Sequence, residues 1–178
     1  MRNAFLEVAT TPAVVEARLR IDGRDRYAPD GGPVTNDRFG AAERAFLAAA
    51  DGFYVASVSE TGWPYVQFRG GKPGFLRVLD ERALAWADLQ GNRQYLTVGN
   101  VSRDPRVALF VMDYRNARRL KILGRLTVDE DPAGRRMRVD LVGFDWNCPQ
   151  HCPLRFSTRD VEELVAENAR LRAALAAR

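Results

Sequence analysis

Histidine, lysine and cysteine are all scarce in this sequence of 178 residues. It contains one histidine, two cysteines and 27 basic residues, of which only Lys72 and Lys121 are lysines. A catalytic design that needs several histidines has almost nothing to draw on, and two cysteines do not form a disulfide framework. We therefore expect a cytoplasmic protein, and we expect any enzymatic reactivity to come from a bound cofactor.

The sequence also lacks a long apolar segment and a segregated block of charge. No run approaches the roughly 20 apolar residues that span a bilayer, and Glu7 interrupts the start before a secretory signal could form. Basic and acidic residues number 27 and 23 and are interspersed, as in the segment 135–140, whereas a nucleic-acid-binding surface is more segregated. We expect neither a membrane nor a nucleic-acid partner.

The apolar periodicity predicts a helical N-terminal part followed by antiparallel strands. Thr11 and Pro12 predict the start of a helix that ends at Gly23, and a second helix is predicted over 38–50 with Asp37 as its cap. Short strands in hairpin order favour a barrel or a sandwich over a parallel sheet. The predicted strands are 53–59, 63–69, 76–79, 83–87, 107–112, 119–128 and 137–144, with a short helix over 93–101.

A glycine-rich segment follows the second predicted strand and combines two cations with an exposed backbone. Its residues are Gln67, Phe68, Arg69, Gly70, Gly71 and Lys72. Glycines let main-chain N–H groups approach a ligand closely, and the cations suit an anionic or planar one. A tight loop with solvated charges explains the same residues.

A second segment, 86–94, leaves a strand and enters the predicted short helix. It contains Asp88, Asn92, Arg93 and Gln94. If Asn92 caps the helix, free N–H groups and the positive end of the helix dipole face this point. A phosphate would then reconcile Arg93 with its unfavourable position at a helix start. A solvated arginine on a capped helix is the alternative.

The order of these segments resembles the pyridoxamine 5′-phosphate oxidase-related family of FMN-binding split barrels. The resemblance covers roughly 51–156 and includes the later segments 104–110, 119–126 and 146–151. It implies an antiparallel split barrel, mainly β with flanking helices (α+β). The expected division is an N-terminal helical and loop segment at 1–50, the barrel domain at 51–156 and a C-terminal helix at 157–178.

The same resemblance implies FMN as the cofactor, no metal, and a homodimer with two sites at its interface. The implied FMN-binding residues are Gln67, Phe68, Arg69, Gly70, Gly71, Lys72, Asp88, Asn92, Arg93, Gln94 and Trp146. Arg93 would hold the phosphate, Arg69 and Lys72 would lie near the ring or substrate, and Trp146 over its open face. The chain would then be a flavin-dependent oxidoreductase acting on a small molecule or a reduced nicotinamide, with catalytic residues unassigned.

Two other functions stay open at this point. One is a non-catalytic flavin or haem module of the same fold. The other rests on Cys148, His151 and Cys152, which form either a loop lining the flavin pocket, a redox thiol pair or a soft-metal site.

The C-terminal segment is strongly helical, with Ser157 or Thr158 as its cap and Glu162 in its first turn. Its apolar residues step by three and four, as in a coiled-coil seam with Asn168 at an a position. This seam predicts either a contribution to a dimer or an amphipathic helix packed on its own barrel. The seam residues are Val161, Leu164, Asn168, Leu171 and Leu175.

Overall fold

The structure is a computed structural model that describes residues 2–28, 31–89, 91–132 and 134–177. The helices are α1 (Ala4–Ala9), α2 (Pro12–Asp22), α3 (Ala41–Ala49), α4 (Leu96–Arg103) and α5 (Thr158–Ala176). The strands are β1 (Arg2–Asn3), β2 (Val34–Thr35), β3 (Gly52–Val58), β4 (Pro64–Gly70), β5 (Arg77–Val78), β6 (Ala83–Ala87), β7 (Arg106–Asp113), β8 (Arg118–Asp131) and β9 (Gly134–Asn147).

A seven-stranded sheet in the order β4-β3-β7-β8-β9-β6-β5 forms the body of the protein. Each strand of this sheet pairs antiparallel with its neighbours, because the strands follow one another through hairpins and short excursions. Its inward side chains form one apolar core together with residues of α3 and the segment before it. Phe53, Leu109, Ile122, Met137 and Phe39 are buried there. The predicted antiparallel split barrel, mainly β with flanking helices, is confirmed.

Several predicted boundaries are wrong by a few residues. Helix α3 begins at Ala41 after Gly40, and the side chain of Glu43 accepts a hydrogen bond from the Gly40 N–H at 2.9 Å. Asp37 does not cap this helix, because its carboxylate pairs with Arg82 instead. Strands β8 and β9 are each 14 residues long and extend beyond the predicted segments. The apolar pattern marks only the part of a long hairpin that crosses the core.

Helix α1, which the apolar pattern does not predict, lies against β9 at Gly143. Asn3 caps it by accepting hydrogen bonds from the N–H groups of Phe5 and Leu6. A Cβ atom at position 143 would lie 2.5 Å from the Phe5 nitrogen and 2.7 Å from the Ala4 carbonyl carbon. These contacts are too short for any side chain, so glycine is what allows α1 to reach the sheet.

The Gly143→Ala variant is therefore expected to displace α1 and to lower the free energy of unfolding by about 1 to 2 kcal/mol. Urea denaturation measures the loss, and hydrogen exchange should show faster exchange of α1 amides. Gly99→Ala is the matched control, because nothing lies within 4 Å of a Cβ at that helical position. It should stabilise α4 by about 0.5 to 1 kcal/mol. Equal stability of Gly143→Ala and the natural chain would contradict this packing.

Helix α5 extends from the barrel with its apolar residues exposed. Ser157 caps it in a reciprocal box with Asp160, so Asp160 rather than Glu162 is the acidic residue of the first turn. The exposed fractions of Val161, Leu164, Leu171 and Leu175 run from 50% to 70%, so its own barrel does not cover the seam. The division into three segments and a dimer role for the seam stay predictions. Among the described residues, no helix is long and apolar enough to cross a membrane.

Candidate functional site

Strand β4 presents alternate side chains to a polar cleft. Tyr65, Gln67 and Arg69 are partly buried on one face, as the twofold period of a strand requires. Phe68 points to the other face, where its ring packs on Tyr54 at a centroid distance of 5.4 Å and 57% of the residue is exposed. The strand therefore brings Gln67 and Arg69 to the cleft and directs Phe68 away from it.

The two glycines that follow Arg69 serve the packing of their own chain. A Cβ at Gly70 would lie 2.9 Å from the Phe68 ring, and one at Gly71 would lie 2.6 Å from the Phe75 ring. The Gly71 N–H donates to the Asp51 carbonyl at 2.9 Å. Lys72 is exposed on the turn that closes through the Phe75 N–H. These glycines make room for aromatic rings of the same chain.

Asp88 is the acidic centre of the cleft. Its side chain is 6% exposed and lies between two guanidinium groups, with Arg135 Nε at 3.0 Å and Arg69 Nη2 at 3.6 Å. Its backbone N–H donates to the Arg135 carbonyl at 2.9 Å, which fixes the end of β6 against β9. One carboxylate shared by two cations leaves this part of the cleft with a net positive charge.

Arg135 is a site residue that the sequence does not predict. Its guanidinium lies over the Tyr95 ring at 4.7 Å. A side-chain hydrogen bond with Tyr95 and then the contact with Asp88 raise its pKa above the usual value, so it stays protonated. The sequence around Arg135 is a run of charged residues on a hairpin, which carries no sign that one of them reaches the cleft.

The loop before α4 differs from the predicted helix start. Helix α4 begins at Leu96, and its cap position is Tyr95 at φ 51°, with no side-chain cap hydrogen bond. Asn92 instead bonds Gln94, accepting from its N–H and donating to its Oε1, each at 3.1 Å. Arg93 has φ 61°. The prediction that Asn92 caps this helix is wrong. Arg93 therefore does not lie at the start of the helix, and the helix dipole is no argument for a phosphate beside it.

Hydrogen bonds hold α4 to the wall of the cleft. The hydroxyl groups of Thr97 and Tyr65 donate to Gln67 Oε1 at 3.3 and 3.2 Å. Further along the helix, Asn100 Nδ2 donates to the buried Ser57 Oγ at 3.0 Å. Gln67 is thus a positioning residue that joins β4 to α4, and its acceptor oxygen is occupied within the chain.

The cleft encloses about 40 Å³, close to the space of a single water molecule. Arg69 is 18% exposed, and its Nε is buried with no hydrogen-bond partner among the described residues. A buried, unpartnered guanidinium N–H suits an anionic or acceptor-rich ligand, because leaving it unpaired costs free energy. The lining residues include Gln67, Arg69, Asp88, Asn92, Arg93, Gln94, Tyr65, Tyr95 and Arg135.

Trp146 lies outside this cleft, at the end of β9. Its Nε1 donates to Glu43 Oε1 at 2.8 Å, and its ring meets Phe46 edge to face at 4.8 Å. The guanidinium of Arg118 lies over the same ring at 4.6 Å. Trp146 is therefore held by α3 and β8, and the structure does not bring it to the other predicted cofactor-binding residues of its own chain.

The loop after β9 carries both cysteines as free thiols, with Cys148 exposed and Cys152 partly buried. Arg119 donates to the carbonyl groups of Cys148 and Gln150 and holds the loop to β8. Within the described residues, no three histidine, cysteine or acidic side chains converge as metal ligands would. The redox pair stays a hypothesis.

The fold and cleft define an antiparallel split barrel with a basic site between β4, β6 and α4. A family model described as pyridoxamine 5′-phosphate oxidase matches residues 39–167. The chain belongs to this family. No curated protein matches the sequence.

Two solved structures show the same fold at low sequence identity. A structure titled as a putative pyridoxamine 5′-phosphate oxidase from Lactobacillus delbrueckii has a TM-score of 0.50 and 19% identity, covering 61% of this chain and 94% of that one. The HupZ protein of Group A Streptococcus has a TM-score of 0.51 and 9% identity, covering 66% and 99%. At these identities the similarity concerns the fold.

Proposed function

We propose that the cleft binds FMN and that the protein is a flavin-dependent oxidoreductase. The observation that carries the proposal is the group of three arginines, Arg69, Arg93 and Arg135, around a cleft in which Asp88 is shared by two of them. Guanidinium groups bind phosphate through paired, charge-assisted hydrogen bonds. Membership of the family supports flavin over other anionic ligands.

The three arginines lie at different positions around the cleft, and we assign each a different contact with FMN. Arg93 lies on the exposed loop before α4 and would hold the phosphate. Arg69, whose Nε has no partner among the described residues, would donate to an acceptor on the ring, whereas Lys72 lies exposed on the turn after β4 and is not among the described lining residues. Arg135 extends the basic wall from β9. Bound FMN supplies hydride transfer, while the chain orients the ring and sets its electrostatics.

The proposed substrate is a small organic molecule or a reduced nicotinamide. A cation or N–H near the ring stabilises negative charge on reduced flavin and so favours its acceptance of a hydride. Arg69 is the described cleft residue best placed for this, because it is held between the sheet and Asp88. Its fixed position spares the cost of ordering a long side chain during the reaction.

We also propose a homodimer in which each cleft is completed by a second copy. A space of about 40 Å³ is far below the 300 Å³ or more of typical cofactor pockets, so one chain provides only one wall. Trp146 belongs to this proposal as a residue that the second copy would bring to the cleft. The exposed seam of α5 offers a further apolar contact between copies.

The test is FMN binding by the apoprotein, followed by flavin fluorescence and by sedimentation velocity of the same samples. We expect saturable binding of one FMN per chain in a dimer, with riboflavin, which lacks the phosphate, bound at least about tenfold more weakly. The bound flavin should be bleached by a reduced nicotinamide or another small reductant. No FMN uptake, or equal affinity for FMN and riboflavin, would contradict the proposed site. Binding without reduction by any donor would favour the non-catalytic flavin module.

A further inference from the structure

A second, larger cavity lies between α3, the turn that joins β7 to β8, and the segment before α5. Its volume is about 670 Å³, within the range of small-molecule pockets. It shares no described lining residue with the basic cleft. One wall is a stripe of exposed alanines on α3, formed by Ala42, Ala45 and Ala49. Aromatic rings of Phe46 and Tyr114 add further apolar surface.

Arg118 is an exposed cation on the wall of this cavity. Its guanidinium lies over the Trp146 ring at 4.6 Å and the Phe46 ring at 5.2 Å. Glu43 holds Trp146 in turn through a hydrogen bond of 2.8 Å. Among the described residues, Arg118 forms no ion pair, although Asp113 is opposite it in the register of β7 and β8, and the two ring contacts restrict where its guanidinium lies. A preorganised guanidinium of this kind suits a carboxylate.

Arg155 is a second cation without a carboxylate partner in the described part of the chain. Its guanidinium lies over the Tyr114 ring at 5.0 Å, and its backbone N–H donates to the Tyr114 carbonyl at 3.4 Å. A side-chain hydrogen bond with Tyr54, together with burial, raises the pKa of Tyr114. Tyr114 therefore stays a neutral phenol and adds no negative charge beside Arg155.

The acidic residues that line the cavity are mostly occupied by their own neighbours. Asp160 accepts hydrogen bonds from Ser157 and pairs with Arg115. Asp113 accepts from the backbone and side-chain N–H groups of Asn116 at 3.1 and 2.8 Å. Asp51 follows the C-terminal end of α3 and is exposed, as Arg118 and Arg155 are, so water screens all three charges. The lining thus carries three carboxylates and three guanidinium groups, and Arg118 and Arg155 are the two cations that form no ion pair among the described residues.

We propose that this cavity binds a small aromatic carboxylate. The carboxylate would pair with Arg118, and the ring would lie on the alanine stripe of α3, which leaves room for a flat molecule. Arg155 and Tyr114 would close the opposite side. Within one chain the cavity shares no described lining residue with the cleft assigned to FMN, and its assignment does not depend on the flavin proposal.

The test uses anthranilate as the probe and anthranilamide as its neutral counterpart in calorimetric titrations of the full chain. We expect saturable anthranilate binding at least about tenfold tighter than that of anthranilamide, because one charge-assisted pair accounts for this difference. Equal affinities, or no saturable binding, would overturn the proposal. Displacement of anthranilate by FMN would also overturn it, because the probe would then occupy the cleft.

Two substitutions in the lining of the cavity, each with a control substitution outside it, test where the probe binds. Ala45→Leu fills the cavity from an exposed helix position and should weaken anthranilate binding about tenfold or more, whereas Ala48→Leu, on the same helix but outside the lining, should not change it. Arg118→Gln should reduce the preference for anthranilate to within about twofold, and Arg159→Gln on α5 should leave it intact. Unchanged binding in Ala45→Leu would overturn the site even if Arg118→Gln failed to fold.

Discussion

Replacement of Arg93 by alanine is expected to weaken FMN binding by about 10- to 150-fold. A charge-assisted contact to phosphate contributes about 1.5 to 3 kcal/mol, and each 1.4 kcal/mol is a factor of ten in affinity. Arg93 lines the basic cleft, on the loop that leads into α4. Fluorescence titration of the apoprotein with FMN measures the change.

Lys72→Ala is the matched control for charge. Lys72 is exposed on the turn after β4 and is not among the described residues that line the cleft. Its effect on FMN affinity should stay near twofold, because water and salt screen an exposed charge. If Lys72→Ala weakened binding as much as Arg93→Ala, the phosphate would not be held by the loop before α4.

Replacement of Asp88 by alanine is expected to lower the free energy of unfolding of the apoprotein by about 2 to 4 kcal/mol. Removal of one partner from a buried pair leaves the other charge uncompensated, and Asp88 compensates both Arg69 and Arg135. The Asp88→Asn variant should also be destabilised, because it keeps the shape and removes the charge. Urea denaturation measures both variants.

The flavin must be absent from these measurements, since a ligand that binds the folded state raises its apparent stability. Asp140→Ala is the control, because Asp140 pairs with Arg138 at 2.9 Å on a side chain that is 53% exposed. Its loss should change the stability by less than about 1 kcal/mol. An Asp88→Ala variant as stable as Asp140→Ala would show that the two arginines do not depend on this carboxylate.

The strands are predictable from the sequence where one face is buried and the other is not. Alternation of apolar side chains along 53–59 and 107–112 marks β3 and β7, and Gly62 marks the turn of the first hairpin. The predicted start of α4 is wrong because Asn92 finds a closer partner in Gln94. Asparagine forms such local turns as readily as helix caps, and the sequence does not distinguish the two.

The candidate site is also only partly predictable from the sequence. Gln67, Arg69 and Asp88 are predicted from the sequence and lie together, because β4 and the end of β6 bring them to one cleft. The sequence does not predict Arg135, because this residue lies on the hairpin of β8 and β9, 47 residues after Asp88. Phe68 belongs to the predicted site, but the strand period places it on the opposite face. The assignment of these residues to an FMN site stays a prediction.

Local chemistry in the sequence determined the antiparallel order, the family resemblance and the basic character of the glycine-rich segments. These features depend on neighbouring residues, whose period and turn preferences are visible in one dimension. The tertiary structure decided that Asp88 is shared by Arg69 and Arg135, that Trp146 is held by Glu43 and Arg118, and that a second cavity lies beside α3. Each of these depends on contacts between residues distant in the chain, which only the folded sheet brings within reach.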